Sequence, residues 1–179
     1  TARVTLLPSD TERARYDVLS RIELKPGRYS LRIAAHNATS RKSGSVFYDV
    51  DVPDFRKEGV WMSGVALQVK PGIAAAPRNA LGNLVSIVPT TVRTFVADDT
   101  VSGAVQITQG GRKPVVPVQL EVRITDDHGR TVHRASEAID VQRFASRSAD
   151  YQFSLPVQIL NPGGYLLTLE ATAAATTAR

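Results

Sequence analysis

The sequence predicts an all-β protein built from antiparallel β-sandwiches, and two features of the chain support that prediction. Residues 118–125 alternate strictly between apolar and polar side chains, as a strand does when one face is buried and the other meets water. Shorter stretches of the same kind recur along the chain, with turn-forming residues about every 8–12 positions and no convincing helical stretch. This spacing is typical of sandwiches.

The individual strands follow from the alternation and from the turns that separate them. After the strand at 118–125, residues 126–129 (Asp-Asp-His-Gly) supply a turn, and 130–133 are expected to return as a hairpin. Residues 10–15 also fit the first turn of a helix, and 171–178 fit an edge strand or a frayed tail. The other predicted strands are 2–7, 16–24, 28–36, 45–52, 60–68, 84–88, 101–108, 137–143, 150–155 and 164–172.

An internal repeat is the strongest signal in the chain. Residues 24–35 align with residues 160–171 without a gap, and six aligned positions are identical. Pro and Gly in this motif predict a turn, because Pro presets φ and Gly accepts a positive φ. The Tyr then begins a strand. The identical pairs are Leu24/Leu160, Pro26/Pro162, Gly27/Gly163, Tyr29/Tyr165, Leu31/Leu167 and Ala35/Ala171.

This repeat resembles the tyrosine corner of immunoglobulin-like sandwiches, in which a Tyr hydroxyl at the start of strand F binds nearby backbone. The fold expected is therefore two immunoglobulin/fibronectin III-like β-sandwich modules with antiparallel strands. Pro26, Gly27 and Tyr29 are expected to be structural in the first module. Pro162, Gly163 and Tyr165 are expected to have the same role in the second.

A change of composition near residue 70 divides the chain. Residues 69–83 contain two prolines, two glycines and little alternation, as in an interdomain linker or a long crossing loop. We therefore predict a first module at 1–69, a linker or crossing loop at 70–83 and a second module at 84–179. The first module has too few strands before 28–36 for a sandwich of about 100 residues, so one or both modules are expected to be incomplete.

The missing strands have two alternative sources. They lie upstream in a longer protein, of which this chain is expected to be a piece because it begins at Thr1 without an initiator Met. Otherwise they are replaced by 60–68 and by contacts with the second module. In the second module, strands A to F fit into 84–172, and the final strand is poorly represented.

No motif in the sequence predicts catalysis, a cofactor or a bound metal. The chain has no Cys, no Gly-x-Ser-x-Gly and no phosphate-binding loop. Two groups of polar residues leave a bound metal open as the minor alternative. The first group is expected to be a solvated stripe, with a calcium site at a sandwich end as its alternative; it consists of Asp49, Asp51 and Asp54. The second group is expected to be a turn, with a surface metal site as its alternative; it consists of Asp126, Asp127, His128 and His133.

Charge and hydropathy argue against two classes of partner. The 22 basic and 17 acidic residues give a formal net charge of +5, but the basic residues are scattered rather than gathered into a tract. We therefore expect a mildly cationic solvated surface and no nucleic-acid binding. Apolar runs are far shorter than the roughly 20 residues that a membrane-spanning helix requires, so no membrane insertion is expected.

Residues 24–35, 43–46, 50–55 and 63–65 together resemble a bacterial pattern. They are similar to the region that follows the von Willebrand factor A-type domain in VWFA-related proteins of Acidobacteria and neighbouring groups. The likeness is specific over 24–67 and looser over 84–172. The metal-dependent Asp-x-Ser-x-Ser motif of the A-type domain does not occur in this chain. The resemblance implies an exported, β-rich accessory region located in the periplasm, at the cell surface or outside the cell.

The function expected from the sequence is that of a non-enzymatic spacer and protein-interaction region of an exported VWFA-related protein. Its partner would be the A-type domain of the same protein or another exported protein, and its oligomeric state stays open. The alternative is a carbohydrate-binding accessory module of a secreted enzyme, with Trp61 or another aromatic side chain stacking on a sugar. For Trp61 itself, burial in the core or at the module interface is the favoured interpretation.

Overall fold

A computed structural model describes residues 16–71, 74–76, 81, 86–173 and 176–178, and these residues contain no α-helix. Two 3-10 turns lie at Val141–Arg143 and Val157–Ile159. The prediction of an all-β protein with antiparallel sheets is confirmed. The strands are β1 Tyr16–Val18, β2 Gly27–Asn37, β3 Lys42–Val52, β4 Gly59–Met62, β5 Ala66–Lys70, β6 Ala74–Ala76, β7 Thr100–Gly110, β8 Val118–Asp126, β9 Thr131–Ile139, β10 Ser148–Leu155, β11 Tyr165–Ala173 and β12 Thr176–Ala178.

Two antiparallel sheets form a sandwich. In the first sheet β7 pairs with β10 along one edge and with β4 and β5, one after the other, along the opposite edge. The second sheet has the order β12-β11-β8-β9. The inward side chains of β7 and β8 fill the space between the sheets. The most deeply buried of them are Val101, Val105, Ile107, Val118, Leu120, Val122 and Ile124, each at most 4% exposed.

Strands β4 and β5 correct the predicted assignment of 60–68 to the first module. Both pair with β7, so they belong to the sandwich formed by the later part of the chain. A bulge separates them, because the four steps from Met62 to Ala66 lie beside the three steps from Ile107 to Ala104. Ser63 holds the bulge through two hydrogen bonds with the backbone of Gln106, each 2.9 Å long.

The predicted linker contains a short strand. Within residues 70–83, β6 pairs in parallel with β1, which covers only the first three residues of the predicted strand 16–24. The buried carboxylate of Asp17 accepts hydrogen bonds from the hydroxyls of Thr90 and Thr91, at 2.6 and 2.7 Å. These bonds attach β1 to the segment that leads into β7. The predicted strand 2–7 and the alternative helix at 10–15 lie outside the described residues.

Four other boundaries differ from the prediction or refine it. The predicted strands 130–133 and 137–143 are a single strand, β9, that ends at Ile139, before the 3-10 turn at Val141–Arg143. The end of the chain is an edge strand, since β12 pairs with β11. Of the predicted strand 84–88, the described residues 86–88 are not a strand. The turn at 126–129 joins β8 and β9 as predicted, with Gly129 at φ +75°.

A side-chain cluster that no sequence pattern indicated fixes the crossing from β7 to β8. The buried amide of Gln109 donates to the carbonyl of Val116 at 2.7 Å and accepts from its N–H at 3.1 Å. The Arg147 guanidinium donates to the backbone carbonyls of Gln109, Gly110 and Lys113 at 2.6–3.1 Å. Arg147 itself has a left-handed backbone, at φ +72°. The cluster satisfies carbonyls that would otherwise be left without partners where the chain leaves the sheet.

Gly103 and Phe153 form a cross-strand pair that tests the packing between β7 and β10. A Cβ added at Gly103 would overlap the ring of Phe153. Gly103→Ala should therefore lower the free energy of unfolding by about 1–3 kcal/mol through overpacking, as measured by urea denaturation. Gly64→Ala is the matched control, because its added Cβ has nothing within 4 Å. Equal losses in the two variants would contradict the described packing.

Asp126 gives the β8–β9 turn a pH-dependent contribution. Its carboxylate accepts from the N–H groups of His128 and Arg130 at 3.0 and 2.9 Å and from the Arg130 side chain at 2.8 Å. Burial by itself raises the pKa of Asp126, but these hydrogen bonds from the Arg130 backbone and side chain and from His128 outweigh it. The net pKa therefore lies below its ordinary value.

Because the pKa of Asp126 is lowered in the folded state, its carboxylate stabilises the fold fully at pH values above the ordinary Asp pKa of about 3.9. This stabilisation is lost as the pH falls through the pKa that Asp126 has in the folded protein. Asp126→Asn should therefore be less stable at neutral pH and should lose less stability on acidification. Urea denaturation from about pH 7 down to pH 3 measures both effects. Asp127→Asn is the control, because the side chain of Asp127 is 70% exposed. An unchanged pH dependence in Asp126→Asn would contradict this account.

Candidate interaction surface

The two Pro-Gly-x-Tyr motifs lie at the starts of β2 and β11 and have the same local hydrogen bond. The Tyr29 hydroxyl donates to the carbonyl of Lys25 at 2.9 Å, and the Tyr165 hydroxyl donates to the carbonyl of Asn161 at 2.6 Å. Both bonds reach back four residues along the backbone. The two glycines differ, because Gly27 has φ +151° whereas Gly163 does not adopt a positive φ.

The strands that follow the two corners differ in burial. In β11, Leu169 is 4% exposed and Ala171 is fully buried against the sandwich core. The aligned residue of Leu169 in β2 is Ile33, which is 61% exposed, and Ala35 is exposed as well. The same local motif therefore begins one strand that is covered and one that, within the described part of the chain, is not.

Among the described residues, strand β2 pairs only with β3, and together they form a two-stranded hairpin with one apolar face. Directly paired residues of an antiparallel hairpin share a face, which places Leu31 beside Tyr48 and Ile33 beside Val46. Val46 and Tyr48 are 60% and 66% exposed. We call these four residues the hairpin face. Contiguous exposed apolar residues of this kind mark contact sites in soluble proteins.

The opposite face of the hairpin is charged, with basic residues on one strand and acidic residues on the other. Arg28 of β2 lies 3.4 Å from Asp51 of β3, and the guanidinium of Arg32 lies 5.4 Å from the centre of the Phe47 ring. Asp49 is also exposed on β3. On this face the charged side chains of β2 are the basic ones, Arg28 and Arg32.

The three carboxylates considered for a calcium site, those of Asp49, Asp51 and Asp54, are not brought together. Asp49 and Asp51 lie on the hairpin, whereas Asp54 binds the Arg56 guanidinium at 2.8 Å after β3 has ended. The hydrogen bond from Arg56 holds the pKa of Asp54 below its ordinary value. Asp54 is therefore engaged as an anion by its own neighbour.

The second group is also divided between separate contacts. The carboxylate of Asp126 accepts from the turn backbone and from Arg130, while Asp127 lies 3.5 Å from the His128 ring. His133 lies on β9, paired with Ile124. Across the described ranges, no three His, Asp or Glu side chains are placed to share a metal ion.

Trp61 is packed by its neighbours on both its ring and its nitrogen. Its indole N–H donates to the carbonyl of Lys57 at 3.1 Å, and its ring meets the edge of Phe55 with the ring centres 5.9 Å apart. These contacts fix the indole against the loop that leads into β4. They give Trp61 a structural role and provide no support for sugar stacking.

A groove of about 1070 Å³ opens beside the second tyrosine corner, and sequence reasoning missed it. It is formed by residues 93–97 and by the loop that leads into β11, which are distant in sequence and not marked by alternation. Its lining is mainly aliphatic and aromatic, with Arg93 at the margin donating to the carbonyls of Thr90 and Val92. No arrangement of nucleophile and base is present in this lining.

Comparison with known proteins identifies no relative. No family model matches the chain, and neither the curated proteins nor the solved structures contain a match. Within the described residues, no helix is long and apolar enough to span a bilayer.

The tyrosine corners lead to a test of their structural role. Tyr165→Phe removes the hydrogen bond to Asn161 and keeps the ring, so the free energy of unfolding should fall by about 1 kcal/mol. Tyr29→Phe removes the equivalent bond from a hairpin outside the sandwich core, and should change the global unfolding transition less. Thermal and urea denaturation measure both. A larger loss in Tyr29→Phe would contradict the placement of β2 outside that core.

Proposed function

We propose that this chain is a non-enzymatic protein-interaction and spacer region of an exported bacterial VWFA-related protein. The observation that supports interaction is the hairpin face, where Ile33, Val46 and Tyr48 are each at least 60% exposed on a regular β-hairpin. Side chains of this type lie in the core elsewhere in the same chain. A protein partner that covers them would bury apolar surface without any change in the hairpin backbone.

An immunoglobulin/fibronectin III-like identity is part of this proposal, and strand order supports it. The order β5-β7-β10 corresponds to strands A-B-E of such sandwiches, and β8-β11-β12 corresponds to C-F-G. Tyr165 then stands at the start of strand F, as in a tyrosine corner. On this assignment strand A comes from residues 59–70 and β12 is the final strand, whereas the sequence analysis placed strands A to F within 84–172.

The partner proposed is an A-type domain encoded in the same protein, or another exported protein. Calorimetric titration of the chain with that A-type domain tests the proposal. Binding is expected, and Ile33→Ser combined with Tyr48→Ser should weaken it by at least about tenfold, the effect of losing about 1.4 kcal/mol of contact free energy.

Ile159→Ser is the matched control, because Ile159 is 70% exposed but belongs to the 3-10 turn at Val157–Ile159 and not to the hairpin. It should leave the affinity unchanged. No heat of binding at high concentration would contradict the interaction and leave the spacer role alone. A gene without any A-type domain would contradict the proposed family.

A further inference from the structure

Strand β11 shows what surrounds a strand that follows a tyrosine corner in this chain. On one edge it pairs with β12, the strand that comes next in sequence. On the other edge it pairs over eight residues with β8, which alternates aliphatic and polar side chains. Both edges of β11 are therefore occupied, and Leu167, Leu169, Ala171 and Ala173 pack into the core.

Within the part of the chain that the structure describes, strand β2 has a counterpart of β12 but no counterpart of β8. β3 follows β2 in a hairpin as β12 follows β11, so the edge of β2 away from β3 corresponds to the edge of β11 that β8 occupies. Among the described residues no strand pairs with that edge of β2. Its backbone groups over eleven residues form a template for a further strand.

The polar side chains of β2 indicate what kind of strand fits there. The alignment of β2 with β11 places Arg32 opposite the position that Arg123 of β8 occupies. Extending the same register by one pair beyond its observed end would place Arg28 opposite the position of Asp127. Within the described residues Arg32 forms no ion pair, and the Arg28 side chain is 90% exposed. Carboxylates at the two facing positions would complement both guanidinium groups, because directly opposite charges stabilise a strand pair.

We infer that the edge of β2 away from β3 binds a β-strand of a partner polypeptide, antiparallel to β2, with aliphatic side chains at alternate positions and carboxylates opposite Arg28 and Arg32. Its aliphatic side chains would lie beside Leu31 and Ile33 and widen the hairpin face. The partner is therefore expected to carry a second layer as well, as β4 and β7 lie over β11. This inference rests on the proposed function, because it takes the hairpin as a site of protein contact.

The chain itself supplies a probe for the edge. A ten-residue peptide with the sequence of residues 118–127 and the change Arg123→Glu has the required alternation, and its Asp127 would face Arg28. The same peptide with Arg123 retained is the matched control. Each is titrated into the isotope-labelled full chain, and the backbone amide resonances are followed.

The Arg123→Glu peptide should shift the amides of residues 28–36 and bind about fivefold more tightly than the peptide that retains Arg123. The difference should shrink in high salt, because exposed ion pairs are screened. Arg32→Glu in the full chain should reverse the preference between the peptides. Arg112→Glu, at an exposed position between β7 and β8, should leave the preference unchanged.

Several results would overturn the inference: no shifts at millimolar peptide, shifts confined to β3 or β9, or equal affinity for the two peptides. The resonances of the sandwich show whether Arg32→Glu remains folded, and the two peptides still discriminate on the unmodified chain if it does not. Binding of the A-type domain without peptide binding would make the strand pairing wrong and leave the proposed function standing. Peptide binding without binding of the A-type domain would support the strand pairing and contradict the A-type domain as the partner.

Discussion

The sandwich depends on β7 being paired along both edges while its alternate side chains point into one core. β10 pairs with residues 101–108 on one side, and β5 and β4 pair with residues 100–104 and 107–110 on the other. Val101, Val105 and Ile107 then have no route to solvent, and their burial supplies the free energy that offsets ordering three segments far apart in sequence. The bulge at Ser63 keeps β4 and β5 in phase with this arrangement, because without it one of them would turn its apolar side chains outward.

The parts of the fold that sequence could predict are those whose interacting residues lie close together along the chain. β8 and its turn are local, since alternation and Asp-Asp-His-Gly contain all the information they need, and both are as predicted. The partner of residues 59–70 is about 40 positions away, and alternation marks a buried face without saying which strand lies beside it. Composition near residue 70 suggested a boundary there, and the pairing instead takes β4 and β5 into the sandwich.

The candidate surface was outside the reach of sequence for a related reason. The repeat indicated two similar corners, and both have the same Tyr hydrogen bond although their glycines differ in φ, because Pro, Gly and Tyr act within a few residues of each other. Burial is a property of the surroundings, so the same motif precedes the covered Leu169 and the exposed Ile33. The Arg147 cluster is a similar case, in which one side chain binds carbonyls more than 30 positions away.

The contrast between the two strands also bears on stability. A two-stranded hairpin is marginal by itself in water, because it orders its backbone and buries little apolar surface in return. β2 and β3 nevertheless pair over eleven residues each. The Tyr29 hydrogen bond and the cross-strand contacts of Arg28 and Arg32 are local aids to this pairing, and none of them covers the hairpin face. A partner that binds there would therefore stabilise the hairpin by the apolar surface it removes from water, and it would act on the part of the chain whose own packing contributes least.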